Sequence, residues 1–253
     1  MTLAPLRPAA TLIIMRDRDG APPELLMLQR AAGMAFAGGA WVFPGGRVDA
    51  GDEAPAVGVD PVGHDGEDLA ARIAAIRETI EEAGIAVGLD PLPDRAGLRA
   101  IRAGLADERP LGGLLAEAGC RIDPDALVPF ARWIPPHAAP RRFDTRFYLA
   151  KAPADAPISA DGGESVAIRW MSADEALAEA EAGEIAIILP TRANLMRLAP
   201  YRSFAEASAA AAEVPVRPLL TYQDDRDGVP HVCVPAGFGY PPISVPLDRL
   251  LRG

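Results

Sequence analysis

Positive charge is scarce in this chain. Lys and Arg number 25 against 35 Asp and Glu, for a formal net charge of −10. Proteins that coat a nucleic-acid polymer are normally basic, so this balance argues against such a partner. Cysteine is nearly absent. Cys120 and Cys233 are too few for a disulfide framework and suit a reducing compartment, where both would be packed thiols. No apolar run is long enough to span a membrane. The stretch at residues 9–15 is too short, lacks a signal-peptide cleavage pattern and leads directly into Arg16-Asp17-Arg18, so it reads as a first strand. The last four residues, Leu250-Leu251-Arg252-Gly253, are not a peroxisomal address of the Ser-Lys-Leu type. Histidine offers little: His64 and His137 have no partner at zinc-ligand spacing, and His231 falls in an expected hairpin. Gly-x-Ser-x-Gly, the Walker loop and the dinucleotide fingerprint are all missing.

What is present is enough apolar material for a sizeable core, 49% of 253 residues, in one domain with extensions or two small ones. Strands are expected at residues 11–15, 25–29, 41–43, 85–89, 132–134, 143–151 and 166–171. Helices are expected at 68–83, across 94–119 with Gly-rich breaks, from the Ser172 cap through 182, and at 190–198. Ser172 with Glu175 makes a capping box. The alternation implies an α/β fold, a mixed sheet sandwiched between helices. Segments 216–222 and 231–234 flank Asp224-Asp225-Arg226-Asp227-Gly228, a hairpin signal at the head of a C-terminal extension. Such a hairpin packs on the domain as an edge; a substrate flap or a homodimer contact is the other reading.

The stretch Arg77-Glu78-Thr79-Ile80-Glu81-Glu82-Ala83-Gly84-Ile85 carries the most chemistry. At about 100° per residue, Leu69, Ile73, Ile76, Ile80 and Ala83 fall within roughly 40° of one direction, while Glu78, Glu81 and Glu82 point within about 60° of the opposite one. Acids on an outward helix face are usually just solvated. Here an Arg precedes the first Glu, and Gly84 stands where a helix C-terminus wants glycine. Three carboxylates this close repel one another unless a hard divalent cation sits among them.

This stretch resembles the second half of the Nudix box, Gly-x5-Glu-x7-Arg-Glu-U-x-Glu-Glu-x-Gly-U, with Thr79 at the first bulky aliphatic (U) position. The first half lies in Trp41-Val42-Phe43-Pro44-Gly45-Gly46-Arg47-Val48-Asp49. Counting from Gly46, the box Glu falls on Asp52, with Glu53 beside it. Seven residues should then precede Arg77, but 24 do, so about 17 extra residues rich in Pro, Gly and Asp split the box. The split, together with Arg141-Arg142-Phe143-Asp144-Thr145-Arg146-Phe147, is similar to the Nudix 19 branch, described as peroxisomal coenzyme A diphosphatases in animals with relatives in bacteria. The resemblance covers roughly residues 10–205. It implies a Nudix fold with a domain at 8–205, a loop insertion at 47–67, a helical elaboration at 94–119 and an extension at 206–253.

The resemblance implies a hydrolase that splits a small-molecule diphosphate with Mg²⁺ or Mn²⁺ held by Glu78, Glu81 and Glu82. Arg77 would orient a neighbouring carboxylate, and the backbone at Gly45 and Gly46 would approach metal or phosphate. Glu78 and Glu164, the latter in Asp161-Gly162-Gly163-Glu164-Ser165, are both candidates for the general base. Strand alternation puts Arg142 and Arg146 on one face and Arg141 on the other. Guanidiniums at Arg142 and Arg146 suit the 3′-phosphate of coenzyme A. The expected reaction cuts coenzyme A or acyl-coenzyme A to 3′,5′-ADP and a phosphopantetheine product. ADP-ribose, a nucleotide sugar or a dinucleotide is the alternative, and a non-catalytic nucleotide-metabolite sensor comes from a different class. Sensors tend to lose box carboxylates, and the three helix acids are intact here. No membrane partner is expected, and the composition suggests a bacterial cytoplasm.

Overall fold

The computed structural model describes residues 5–34, 36–135, 142–154 and 158–250. Arg141 and His137 lie outside the described residues, as does the end of the chain beyond Leu250.

The chain opens with a long hairpin, β1 (Leu6–Arg18) and β2 (Ala21–Arg30), turning at Asp19-Gly20. Two short strands follow, β3 (Trp41–Val42) and β4 (Gly45–Arg47). After two 3₁₀ turns comes α1 (Gly66–Ala83), then β5 (Leu89–Asp90), α2 (Arg95–Ala106), α3 (Leu111–Ala118) and β6 (Arg121–Ile122). Then come β7 (Val128–Ile134), β8 (Arg142–Lys151), β9 (Ser165–Ser172), α4 (Ala173–Ala182), α5 (Leu189–Leu198) and α6 (Phe204–Ala212). The tail holds β10 (Pro218–Leu220), β11 (Tyr222–Arg226), β12 (Val229–Cys233), β13 (Ser244–Pro246) and α7 (Leu247–Leu250).

The main sheet runs β10-β7-β8-β1-β2-β3, with β4 also on β1 and β9 also on β2. It is mixed: β1 and β8 are parallel from Leu6↔Arg142 to Met15↔Lys151, whereas β1–β2, β2–β9 and β7–β8 are antiparallel. Strand alternation divides the core in two. Ala10, Leu12, Ile14, Leu26, Leu28, Tyr148 and Ala150 face α1, α2 and α3. Ile13, Met15, Leu25, Met27, Phe147 and Leu149 face α4, α5 and α6. The expected mixed sheet between helices is therefore observed, and the central parts of β1 and β2 read as continuous apolar runs because both of their faces are covered.

α1 is buried on nearly every side. Beyond the expected Leu69, Ile73, Ile76, Ile80 and Ala83, the small residues Ala71, Ala74, Ala75 and Thr79 are covered as well. Small side chains let the sheet, α2 and the split-box loop close around the helix, and truncating Ile73 or Ile76 would cost about 2–5 kcal/mol. The helix starts two residues earlier than expected because Asp65 is its N-cap, accepting from the Asp68 N–H at 2.9 Å. It ends at Gly84, whose φ of +67° suits glycine.

Several expected elements are corrected. Residues 85–88 do not form a strand: Ile85, Ala86 and Val87 are buried as irregular chain after the helix cap, and only Leu89 and Asp90 pair, with β6. The break in the 94–119 helix falls at 107–110, ending at Pro110. The glycines are contact points instead: Gly104 lies against Leu114, and Gly112 against the Ala56 carbonyl. The inserted loop is more than an excursion, since Ala54 joins the core and Val57 and Val59 pack against it. The expected strand at 216–222 is divided: β10 extends the main sheet beside β7, and β11 turns into the hairpin with β12. Tyr240 ties this tail down, accepting from Trp133 Nε1 at 2.9 Å and donating to Asn194 Oδ1 at 2.7 Å.

Candidate active site

The last two turns of α1 present Arg77, Glu78, Glu81 and Glu82 to the β4 backbone. β4 lies along β1 with Thr11↔Gly45 and Ala10↔Gly46. The Gly45 N–H donates to Glu82 Oε2 at 2.9 Å. A Cβ on Gly46 would overlap the Glu78 carboxylate, and one on Gly45 would overlap the β1 backbone. Glycine at both places lets the chain pass between strand and helix, so the two distant halves of the split box meet.

Arg77 is the hub. Its Nε and Nη2 hold both oxygens of Asp52 at 2.8 and 3.0 Å, a bidentate pair. Nη1 donates to Glu78 at 3.0 Å and Glu81 at 3.1 Å, and Nη2 also reaches the Arg47 carbonyl at 3.0 Å. Asp52 is fully buried and takes a further bond from the Asp49 N–H at 2.8 Å. The residue at the box-Glu position is thus spent on orienting Arg77, and Arg77 on orienting Glu78 and Glu81. Glu53 beside it is exposed.

The electrostatics are unfavourable as they stand. The Glu82 side chain is 5% exposed, Glu78 14% and Glu81 30%. Burial, with the neighbouring Glu78 and Glu164 charges, pushes Glu82 up to about 8 against the Gly45 N–H and Arg30. Burial, only partly opposed by Arg77, pushes Glu78 up to about 7, and burial raises Glu81 as well. Arg30 is a second cation at these carboxylates, its Nη1 3.9 Å from Glu82 Oε1. Arg77 thus meets the side chains of Asp52, Glu78 and Glu81, and Arg30 that of Glu82.

Glu164 lies just before β9, exposed, and close enough to act on Glu81 and Glu82. Its carbonyl accepts from the Ala31 N–H at 2.8 Å, one residue beyond Arg30. The structure does not bring Arg146 to this cluster. Arg146 pairs with Glu67 and Asp68 at 3.2 Å each, in the first turn of α1. That is ten residues before Glu78, about 15 Å along the helix. Arg142 is 8% exposed at the start of β8, level with Leu6 of β1. Sequence reasoning missed Arg30, although it continues the α1-facing alternation of Leu26 and Leu28. It also missed the anchoring part of Asp52, which box counting alone had located.

Comparison with known proteins agrees with this geometry. A family model described as the NUDIX domain matches residues 5–98, and one described as the NUDT19 Nudix domain matches residues 62–198. The chain belongs to the Nudix hydrolase family, in its NUDT19-type branch. It is 29% identical to the human acyl-coenzyme A diphosphatase NUDT19 over 79% of this chain and 70% of that one. To the chicken protein of the same name it is 31% identical over 71% of this chain and 62% of that one. A putative nudix hydrolase 7 of Caenorhabditis elegans is 28% identical over 72% of this chain and 57% of its own length, so the chain spans less than two thirds of the chicken and nematode relatives. Among solved structures, a NUDIX hydrolase from Alicyclobacillus acidocaldarius superposes with a TM-score of 0.72 at 28% identity, over 82% of this chain and 97% of that one. The curated relatives named here are animal proteins and lend no support to the bacterial origin suggested by composition. Among the described residues, no helix is long and apolar enough to cross a membrane.

Proposed function

We propose that this chain is a metal-dependent diphosphatase that cuts coenzyme A or acyl-coenzyme A into 3′,5′-ADP and a phosphopantetheine product. The observation that carries the reading is the buried Glu82 carboxylate beside the half-buried Glu78, both pressed against the Gly45-Gly46 backbone. An all-oxygen, over-charged donor set fits Mg²⁺ or Mn²⁺. Among the described residues, no group of three or more His, Cys, Asp and Glu stands arranged to hold a metal ion. Glu78, Glu81 and Glu82 would hold the metal, which would supply charge neutralisation of the diphosphate and activation of water.

The chain's own groups do the rest. Arg77, anchored on Asp52, keeps Glu78 and Glu81 in register. The Gly45 N–H fixes one Glu82 oxygen, leaving the other toward Arg30. Glu164, exposed at the mouth, or Glu78 takes the proton from the attacking water. All three helix acids and their supports are intact, which favours an enzyme over a metabolite sensor. The two cysteines are free and buried, in keeping with a reducing, cytoplasmic setting.

The substrate choice leans on the names of the relatives and on the arginines of β8. Since Arg146 is held by Glu67 and Asp68, reading a 3′-phosphate requires that phosphate to compete with two carboxylates. The test is a substrate panel with Mg²⁺ and with Mn²⁺, followed by the kcat/KM ratio of coenzyme A to its 3′-dephospho form in wild type, Arg142→Ala and Arg146→Ala. A preference lost in one variant supports the reading. Equal use of both substrates by wild type removes it, and preference for ADP-ribose, a sugar nucleotide or a dinucleotide moves the enzyme to that class with the same carboxylate cluster.

A further inference from the structure

The helical elaboration, α2 and α3, touches the candidate site through one side chain. Arg102 of α2 points at the C-terminal end of α1, where Nε donates to the Glu81 carbonyl at 2.9 Å and Nη2 to the Glu82 carbonyl at 3.3 Å. These carbonyls belong to the last turn, which lacks intrahelical partners and carries the negative end of the helix dipole. The same guanidinium turns to the loop that precedes β9. Nη1 donates to Ser159 Oγ at 2.5 Å, and Nη2 to the Ser159 carbonyl at 2.9 Å. The Ser159 N–H in turn donates to the Ala83 carbonyl at 3.1 Å.

Two residues on, Asp161 organises the remainder of that loop. Its carboxylate accepts from the N–H groups of Gly163 at 3.3 Å, Glu164 at 3.2 Å and Ser165 at 2.8 Å. The loop carrying Glu164 is thus folded on Asp161 at one end and clamped by Arg102 at the other. A lysine could not reproduce the clamp, because four acceptors on two segments are met by a planar fork.

We propose that Arg102 is a positioning residue, which fixes the 159–165 loop, and with it Glu164, against the end of the helix that bears Glu81 and Glu82. The inference rests on the proposed function, in which Glu164 serves in the reaction. The elaboration thereby gains a role in the site, since α2 supplies a side-chain brace between the helix end and the loop, beside the backbone bond from Ser159 N–H to the Ala83 carbonyl.

The test is a double-mutant cycle in the full chain, on whichever diphosphate the wild type cleaves fastest, at saturating Mg²⁺, with melting temperatures recorded alongside. Glu164→Gln should lower kcat by about 100-fold if it acts as base. Arg102→Ala should lower kcat by about 10- to 100-fold through misplacement, with KM within about threefold. The double variant should be within about threefold of Glu164→Gln alone, since a group that acts only through Glu164 has nothing left to position. Arg102→Lys should recover only part of the loss. Losses that multiply in the double variant overturn the inference and leave the part of Glu164 standing. Full activity in Glu164→Gln overturns that part first, and the inference with it. Should Arg102→Ala fail to fold, Ser159→Ala removes the clamp's hydroxyl from the other side, and the same non-additivity with Glu164→Gln decides the matter.

Discussion

Replacing Glu82 by Gln should move stability and activity in opposite directions. In the metal-free protein, burial and the Glu78 and Glu164 charges push Glu82 up to about 8. A carboxylate whose folded pKa is raised binds its proton more tightly in the folded state. Its contribution to stability is therefore fully present below the unfolded value of about 4.5 and is lost as pH rises through about 8. Converting that interval gives an upper bound on the order of 5 kcal/mol. Because Glu78 is pushed up beside it and the two share the repulsion, on the order of 2–3 kcal/mol for Glu82 alone is the better expectation. Gln keeps the size, can still accept from the Gly45 N–H, and carries no charge. At pH 8.5 without metal, Glu82→Gln should melt roughly 4–12 °C above wild type, for a chain of this size. At pH 5, where wild-type Glu82 is already protonated, the two should nearly coincide. Adding Mg²⁺ at pH 8.5 should raise the wild-type melting temperature and hardly move the variant's, while the variant's turnover falls by at least about 100-fold. The assay is thermal unfolding across pH 5–8.5 with EDTA and with Mg²⁺, paired with turnover at saturating Mg²⁺. A variant less stable than wild type at pH 8.5 without metal would refute the electrostatic reasoning, and full activity would refute the metal assignment.

Other outcomes follow from the same contacts. Arg77→Met leaves Asp52 buried without its partner, so unfolding free energy in urea should drop by about 3–5 kcal/mol; a loss under about 1 kcal/mol would show that the hub is not structural. Gly46→Ala must displace the Glu78 carboxylate, so kcat should fall by about 10- to 100-fold with little change in melting temperature, and normal kcat would contradict the close approach. Deleting residues 60–63 at the exposed tip of the box insertion should leave stability within about 1 kcal/mol, because closure entropy varies slowly with loop length. Ala54→Asp in the same insertion should destabilise by several times that, since it buries an unpaired charge in the α1 core; equal effects in urea titrations would mean the insertion packs nowhere.

The pattern of residues alone determined the box helix, because apolar spacing and Gly84 are local signals, though its Asp65 N-cap was not read there. It also determined the Ser172 cap, found with the Glu175 N–H on Ser172 Oγ at 3.2 Å and the Ser172 N–H on Glu175 Oε2 at 2.7 Å. The three helix acids and the glycine pair Gly45-Gly46 were legible for the same reason, but the turn expected at that pair is the strand β4, paired with β1. Other features depend on neighbours that no local window contains. Residues 85–88 have strand composition but follow a helix cap directly into the core, so burial, not pairing, uses their side chains. Segment 216–222 looks like one strand, yet its halves find different partners because the free edge of β7 accepts only the first. The tertiary structure alone decided that Glu82 is buried and Glu78 half-buried rather than solvated, since that requires β4 to lie across them. It likewise decided that Asp52 pairs with Arg77, and that Arg146 is held by Glu67 and Asp68. The brace at Arg102 had no sequence signal at all: an arginine on an amphipathic helix becomes a clamp only when two chain ends arrive within reach of one guanidinium.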